Sequence, residues 1–226
     1  KIGVPRETAA GERRIALVPE SAKKLVEQGN EVVIEKARSA SVDFPDAAYV
    51  AAGARIAADA GEVLAGSDLV LKIQPPSEAE IDSLRTGAVL VAILQPFQNG
   101  DTVRRLAEKS VTSFSLDLLP RITRAQAMDV LSSMSTIAGY KGVLIAAAAL
   151  PKMVPLLMTA AGTLKPARFL ILGVGVAGLQ AIATARRLGA VVEAPRGTFF
   201  YKLTGPRTTV AHWAEAFSTY LESLQP

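Results

Sequence analysis

The sequence contains no cysteine and only one histidine, His212, among its 226 residues. The lack of cysteine excludes disulfides, thiol nucleophiles, Cys-ligated zinc and iron–sulfur clusters, and a single histidine excludes a site built from several histidines. No metal site is therefore predicted. Any redox chemistry must belong to a bound organic cofactor. Half of the residues are hydrophobic and 20% are charged, a composition typical of a globular chain.

The sequence also lacks a strong charge of either sign. Its 25 Lys and Arg residues against 21 Asp and Glu residues give a formal net charge of +4. The basic residues are spread along the chain and are not interleaved with aromatic residues, as they would be in a nucleic-acid groove. No nucleic-acid partner is predicted.

No long uninterrupted apolar run is present. The most apolar stretch, Gly142 to Met158, contains Pro151, Lys152 and Pro155 and falls short of the roughly 20 apolar residues of a membrane helix. The first residues do not have the pattern of a secretory leader. We therefore expect no direct membrane insertion and a cytoplasmic location.

The first 120 residues alternate short apolar runs with segments of helical periodicity, which predicts an α/β fold with a doubly wound parallel sheet. The predicted strands are Lys1–Val4, Glu31–Ile34, Asp68–Ile73, Val89–Leu94 and Val111–Ser115. Glu20–Gln28 and Asp101–Lys109 are predicted crossover helices, with Gly29 ending the first and Asp101 capping the second. Residues 1–120 are thus predicted to form a flavodoxin-like α/β domain.

A second domain is predicted after a bridging helix in residues 121–150, whose apolar part runs from Met128 to Leu150. In residues 151–194 an apolar strand, a glycine turn, a helix (Leu179–Leu188) and a second strand (Ala190–Glu193) form a Rossmann-type βαβ unit. Only half of a dinucleotide-binding sheet is present, so this second doubly wound domain is predicted to be incomplete.

Residues 195–226 differ in composition, since they hold six of the twelve aromatic residues and His212. Apolar residues from Val210 to Leu224 follow helical spacing and predict an amphipathic helix. Its apolar face is expected to pack on the core of this chain or, alternatively, on another subunit.

The glycine turn Gly173-x-Gly175-x-x-Gly178 is the strongest local motif. In a dinucleotide site such a turn, with Val176 and Ala177, places pyrophosphate on the helix N-terminus. The alternative is a tight turn that needs glycine for packing alone. The acidic residue expected about 20 residues later is poorly represented: Glu193 is expected to point away, and Arg196, beyond it, would suit the 2′-phosphate of NADP.

A polar cluster precedes the apolar bridging helix. Arg121, Arg124, Gln126, Asp129 and Ser132 bring donors and acceptors to the predicted start of that helix, where several could converge on one ligand. A carboxamide needs both a donor and an acceptor and would suit them. The alternative is helix capping with surface ion pairs.

Five segments together resemble the NAD(H)-binding domain of the alpha subunit of proton-translocating NAD(P) transhydrogenase, over about residues 1–194. They are Gly11-Glu-Arg-Arg-Ile-Ala-Leu-Val-Pro19, Arg121-Ile-Thr-Arg-Ala-Gln-Ala-Met-Asp129, Ser132-Ser-Met-Ser-Thr-Ile-Ala-Gly-Tyr140, Met158-Thr-Ala-Ala-Gly-Thr163 and Leu172-Gly-Val-Gly-Val-Ala-Gly-Leu-Gln180. The related alanine dehydrogenases share the Arg14 region, Lys72 and the glycine turn. Their catalytic histidine has no counterpart in Leu94-Gln95-Pro96.

The resemblance implies a protein that holds NAD(H) while a partner subunit presents NADP(H) for direct hydride transfer, coupled to proton movement by membrane subunits. It further implies that Arg121, Arg124, Gln126, Asp129 and Ser132 bind the cofactor, with Gln126 and Asp129 in catalytic positions. Gly173, Gly175, Val176, Ala177 and Gly178 would hold the pyrophosphate. A homodimer, peripheral to the inner membrane through its partner subunits, is expected.

The chain departs from this family after Glu193, where Arg196 lies about where an aspartate is expected. NAD affinity is expected to be reduced in consequence. Two alternative functions stay open: an alanine-dehydrogenase-like oxidoreductase that uses Arg14 and Lys72 on a keto acid, and a non-catalytic assembly fragment.

Overall fold

The computed structural model describes residues 1–36 and 44–193. The chain divides into two compact units, the first from Lys1 to Val130 and the second beginning at Leu131. The predicted tail helix between Val210 and Leu224 lies outside the described residues.

The first unit alternates strands and helices along the chain, as the sequence predicted. Its strands are β1 (Ile2–Val4), β2 (Val32–Glu35), β3 (Arg55–Ala57), β4 (Leu69–Leu71), β5 (Val89–Ala92) and β6 (Thr112–Ser115). Its α-helices are α1 (Pro19–Glu27), α2 (Asp46–Ala51), α3 (Ala60–Ala65), α4 (Glu78–Ser83) and α5 (Gly100–Glu108). Two 3₁₀ helices, Leu116–Leu118 and Thr123–Met128, follow β6.

All six strands are parallel, in the order β3-β2-β1-β4-β5-β6. This is the strand order of the dinucleotide-binding fold, whereas the predicted flavodoxin-like domain has five strands in the order 2-1-3-4-5. The difference is β3, which the sequence did not predict because it is only three residues long and begins with an exposed arginine. Without β3, the remaining five strands have the flavodoxin order.

The core of the first unit is built from the apolar strands. Buried residues of β1 and β2 pack with Leu17, Ala22 and Tyr49, and a second cluster joins β4 and β5 to α4 and α5. Strands covered on both faces are continuous apolar runs, as in Val32-Val-Ile34. The Tyr49 hydroxyl donates to the Leu17 carbonyl oxygen at 2.8 Å, so its polar atom is satisfied inside the core. Burial, with a contribution from Asp46, raises the pKa of Tyr49 to about 12.

The helix ends agree with the sequence with one exception. Gly29 follows α1 with a φ of 87°, a conformation that glycine adopts at little cost. Asp101 was predicted to cap the next crossover helix. The N-cap of α5 is instead Asn99, and Asp101 lies in the first helical turn.

The second unit begins with most of α6 (Val130–Ala149), in agreement with the predicted bridging helix. It continues with β7 (Leu157–Thr159), β8 (Gly162–Leu164), β9 (Arg168–Leu170), α7 (Val176–Arg187) and β10 (Val191–Glu193). Strands β7 and β8 form an antiparallel hairpin that the sequence did not predict. Strands β9 and β10 are parallel and joined by α7, which confirms the predicted βαβ unit.

This βαβ unit contributes a two-stranded sheet within the described residues. Apolar side chains around it are exposed, among them Leu170, Leu172 at 78% and Leu179. A complete doubly wound sheet would cover such residues with further strands and helices. The described part of the second unit therefore has an uncovered apolar face, as expected from an incomplete sheet.

Candidate functional site

The glycine turn lies between β9 and α7. Gly173 has a φ of 94°, which disfavours a residue with a side chain. A Cβ atom on Gly178 would lie 1.9 Å from the carbonyl oxygen of Gly173, so the fold also requires glycine there. Both positions are determined by packing and backbone geometry within the turn.

Gly175 differs from its two neighbours in the motif. Its φ of −70° and ψ of −171° are open to any residue, and a Cβ atom there would meet no atom within 4 Å. The described fold therefore gives no reason for glycine at this position. A ligand that approaches the backbone closely would give one, as the second glycine of a dinucleotide turn does.

The N-terminus of α7 is not capped by a side chain. Gly175 is its N-cap, and its first turn contains no acidic residue. The first backbone N–H groups of a helix have no acceptor within the helix, and the helix dipole places partial positive charge there. A phosphate group bound at Val176 and Ala177 would satisfy these donors.

Glu193 is held away from the glycine turn. It is the last residue of β10, yet its carboxylate accepts a hydrogen bond of 2.5 Å from Nε of Arg168, the first residue of β9. In a parallel sheet the ligand binds beyond the carboxyl ends of the strands, whereas Arg168 lies at the amino end. This agrees with the expectation that Glu193 points away. Arg196, the other candidate, lies outside the described residues.

The polar cluster does not form the first turns of one helix, as the sequence suggested it would. Gln126 lies in the 3₁₀ helix Thr123–Met128, Asp129 caps that helix at its C-terminal end, and Ser132 lies in the first turn of α6. The N–H of Asp129 donates to the Gln126 carbonyl oxygen at 3.2 Å. The helical spacing failed because a 3₁₀ turn and a break at Asp129 come before the α-helix.

Three members of the cluster are exposed: Arg121, Arg124 and Gln126. Within residues 1–36 and 44–193, Arg121 and Arg124 form no ion pair. The alternative interpretation of surface ion pairs is therefore not supported for these two arginines. Asp129 and Ser132 are half-buried and engaged in interactions. The first four cluster residues belong to the first unit and Ser132 to the second.

A buried charge network that the sequence did not predict lies at the carboxyl ends of β1 and β4. The Lys72 side chain is 1% exposed, and its Nζ lies 2.7 Å from Oε1 of Glu80 and 3.6 Å from Oε2 of Glu7. Glu7 also accepts the backbone N–H groups of Ile73, at 2.5 Å, and Gln74, at 3.2 Å. Strands β1 and β4 flank the point where the strand order reverses, which is where such sheets bind ligands.

The sequence did contain one signal for this network. Ser77 and Glu80 have the spacing of a capping box, and the structure shows both of its hydrogen bonds at the start of α4. Oε2 of Glu80 accepts the Ser77 N–H at 2.7 Å, which leaves Oε1 for Lys72. The capping box therefore positions the carboxylate that neutralises the buried lysine.

Arg14 is likewise bound within the chain. Its guanidinium donates to both carboxylate oxygens of Glu12, at 2.8 and 2.5 Å, and Gln74 Nε2 donates to Glu12 at 2.6 Å. The Arg14 guanidinium is the main cause that lowers the pKa of Glu12 to about 2, with Gln74 contributing. Arg14 and Lys72, the two cations considered for a keto acid, thus both have carboxylate partners in this chain.

Gln95 follows β5, at the position where alanine dehydrogenases were expected to have a histidine. Its φ of 48° lies in the left-handed region, which is uncommon for a residue other than glycine. Its N–H donates to Asp117 at 3.4 Å, and Ser115 Oγ donates to the same carboxylate oxygen at 2.6 Å. Burial opposes ionisation of Asp117, but these hydrogen bonds outweigh it and lower its pKa.

Among the described residues, α6 is long and apolar enough to cross a membrane, with 20 residues and a mean hydropathy of 1.3. The apolar stretch considered in the sequence began only at Gly142, so this length was missed. Length and composition alone do not identify a membrane span, because helices that pack against protein meet the same criteria. In this chain Gly139 of α6 contacts α7, and Lys141 interrupts the apolar surface. Residues 1–36 and 44–193 contain no group of His, Cys, Asp or Glu suited to a metal ion.

Comparison with known proteins relates both units to one family. The model of the alanine dehydrogenase/PNT N-terminal domain matches residues 3–138, and that of the C-terminal domain matches residues 142–195. The first of the polypeptides that make up NAD(P) transhydrogenase subunit alpha in Rhodospirillum rubrum is 47% identical over 199 residues, which cover 86% of this chain and 52% of the relative. Alanine dehydrogenase of Halomonas elongata is 32% identical, covering 85% of this chain and 52% of the relative.

A solved structure shows the same relationship. The crystal structure of transhydrogenase from Sinorhizobium meliloti superimposes with a TM-score of 0.80 at 45% identity, covering 84% of this chain and 55% of that one. The chain spans about half the length of the curated relatives it matches. The resemblance to the transhydrogenase alpha subunit over about residues 1–194 is confirmed. By its two matching domains, this chain belongs to the alanine dehydrogenase/PNT family.

Proposed function

We propose that this chain is an NAD(H)-binding component of a proton-translocating NAD(P) transhydrogenase. In this function it presents NADH for direct hydride transfer to NADP⁺ held by a partner subunit. The observation that carries the proposal is Gly175: the described fold has no need of glycine there, whereas a bound pyrophosphate does. The uncapped N-terminus of α7 supports the same site.

The residues of the chain bind and orient, and they supply no acid or base. Gly173, Gly175, Val176, Ala177 and Gly178 hold the pyrophosphate through backbone N–H groups. When bound, NADH supplies the hydride.

The second group of residues holds the nicotinamide end: Arg121, Arg124, Gln126, Asp129 and Ser132. The exposure of Arg121, Arg124 and Gln126 leaves them accessible to a ligand. Gln126 and Asp129 are the catalytic positions, where they hold the nicotinamide in place for transfer to the second nucleotide.

The partners follow from the same proposal. NADP(H) binds a separate subunit, further subunits lie in the membrane, and this chain forms a homodimer on the cytoplasmic side of the inner membrane, attached through those subunits. The similarity to transhydrogenase alpha subunits that are themselves divided into separate polypeptides supports an assembly of several chains. Alone, the chain is expected to bind NADH and to catalyse no turnover.

The alternative function is an alanine-dehydrogenase-like oxidoreductase, which the 32% identity to an alanine dehydrogenase favours. Against it stand the higher identity to transhydrogenase subunits and the Gln95 in place of a histidine. Oxidation of alanine with NAD⁺ by the isolated chain would establish this alternative and overturn the proposal.

Calorimetric titration of the 226-residue chain with NADH, and separately with NADPH, tests the proposal. We expect saturable binding of NADH only. Gly175→Val should fold normally and abolish binding, because its side chain occupies the space that the pyrophosphate needs. Gly100→Val is the matched control, since Gly100 also begins a helix and has no atom within 4 Å of its Cβ position.

Three results would contradict the proposal: no binding by the folded wild-type chain, equal binding of NADPH, or full binding by Gly175→Val. The first would favour a non-catalytic assembly fragment. The third would make the glycine turn purely structural.

A further inference from the structure

Gly139, in the middle of α6, contacts the helix whose N-terminus is the proposed pyrophosphate site. A Cβ atom at position 139 would lie 2.1 Å from the carbonyl oxygen of Ala177 and 3.0 Å from its Cα. Both residues belong to the second unit. The contact is between two backbones, so no flexible side chain could move aside to make room.

The contact falls on the buried part of α6. Gly139 and Val143 are its buried residues, one helical turn apart, while most of the helix is exposed. Residues four positions apart lie on the same face of a helix. The face of α6 that carries Gly139 is therefore packed against protein, and Gly139 allows it to approach α7.

Ala177 lies in the first turn of α7, directly after Val176. The same turn is held on its other side, where Gly178 contacts the carbonyl oxygen of Gly173 at the end of β9. Two close contacts, each possible only for glycine, thus fix the position of the backbone N–H groups that would receive a phosphate. One contact lies in the recognised glycine motif, and the other comes from a residue 34 positions before it.

We propose that Gly139 is a positioning residue for the nucleotide, because its lack of a side chain allows α6 to set the position of the first turn of α7. This inference rests on the proposed function. An added methyl group would have to move α7 by about 1 Å, since Cβ contacts under 3.0 Å essentially never occur in proteins. Misplacement of a binding group by about 1 Å can cost up to roughly 100-fold in function.

The experiment compares Gly139→Ala with Gly142→Ala. Gly142 lies in the same helix, and its Cβ position has no atom within 4 Å, so the same substitution there leaves α7 in place. We expect Gly139→Ala to raise the dissociation constants of NADH and ADP by about tenfold or more, and Gly142→Ala to change them less than about twofold.

Adenosine separates positioning from general damage. It carries no phosphate, so its affinity should change little in Gly139→Ala while that of ADP falls. An equal loss for both ligands would overturn the inference, because it would show a damaged unit. Unchanged ADP binding would overturn it as well.

Amide NMR shifts of nucleotide-free protein test the contact independently of binding. Gly139→Ala should shift the N–H resonances from Gly173 to Gly178, and Gly142→Ala should not. If the wild-type chain binds neither NADH nor ADP, the proposed function fails, and these shifts alone decide whether Gly139 positions the turn.

Hydrogen exchange on the wild-type chain covers the case in which Gly139→Ala does not fold. If α6 and the first turn of α7 are coupled, NADH should slow exchange at the amides around Gly139 as well as at Val176 to Gly178. Protection of α7 without protection of α6 would overturn the inference.

Discussion

The buried pair Lys72 and Glu80 allows a stability prediction that can be worked out from the structure. We expect Glu80→Gln to lower the free energy of unfolding of the first unit by about 3 kcal/mol. The Lys72 side chain is 1% exposed and Glu80 10%, so water cannot replace the lost carboxylate. Removing one partner of a buried pair costs about 3–5 kcal/mol, because the other charge remains buried. Glu7, 3.6 Å from Lys72 Nζ, places the expected value at the lower end of that range.

The substitution isolates charge from capping. Glutamine retains an acceptor for the Ser77 N–H, so the capping box at α4 can persist in Glu80→Gln. Ser77→Ala is the matched control, because it removes the cap and leaves the ion pair in place, and it should cost about 1 kcal/mol.

A double-mutant cycle with Lys72→Met measures the coupling. Removing both charges leaves Glu7 with its two backbone donors, so the double variant should be less destabilised than the sum of the single variants, by about 1.5 kcal/mol. Urea unfolding followed by far-UV circular dichroism gives the free energies, and hydrogen exchange of β1 and β4 amides assigns them to the first unit. A loss of less than about 0.5 kcal/mol in Glu80→Gln, or strict additivity, would refute the reasoning.

Further predictions concern acid stability, the glycine turn and the polar cluster. Because Arg14 lowers the pKa of Glu12 to about 2 from 4.5, the stability from this carboxylate is present above pH 4.5 and lost as the pH falls toward 2. Glu12→Gln should flatten the melting temperature over that interval, and an unchanged slope would contradict the assignment. Gly178→Ala should destabilise the chain by about 1–3 kcal/mol in thermal unfolding, because its Cβ meets the carbonyl oxygen of Gly173. Asp129→Ala should weaken NADH binding in titration while the circular dichroism spectrum is retained, and an unchanged dissociation constant would remove Asp129 from the site.

Local sequence patterns determined the α/β class, the βαβ unit and the glycine turn. Apolar runs such as Val32-Val-Ile34 become buried parallel strands, and Gly29 ends α1 where expected, because these features depend on neighbouring residues. The strand β3 escaped prediction, since three residues with an exposed arginine carry no apolar pattern. Its presence gives the sheet a dinucleotide-type strand order in place of the flavodoxin-like one.

The candidate site was predictable in its residues and only partly in its geometry. The helical spacing from Arg121 to Ser132 suggested one helix face, but the 3₁₀ turn and the break at Asp129 depend on backbone hydrogen bonds that spacing does not reveal. The motif Gly173-x-Gly175-x-x-Gly178 indicated a phosphate turn. Only the folded backbone separates the two glycines that the fold requires from Gly175, which it does not.

The sequence by itself thus determined the classes of element, the glycine motif and the family resemblance, because each of these depends on residues close together in the chain. The tertiary structure alone decided which distant residues meet. It joined Lys72 to Glu7 across 65 positions, and it placed Gly139 against Ala177. Such contacts arise from the packing of whole elements, and no local pattern encodes them.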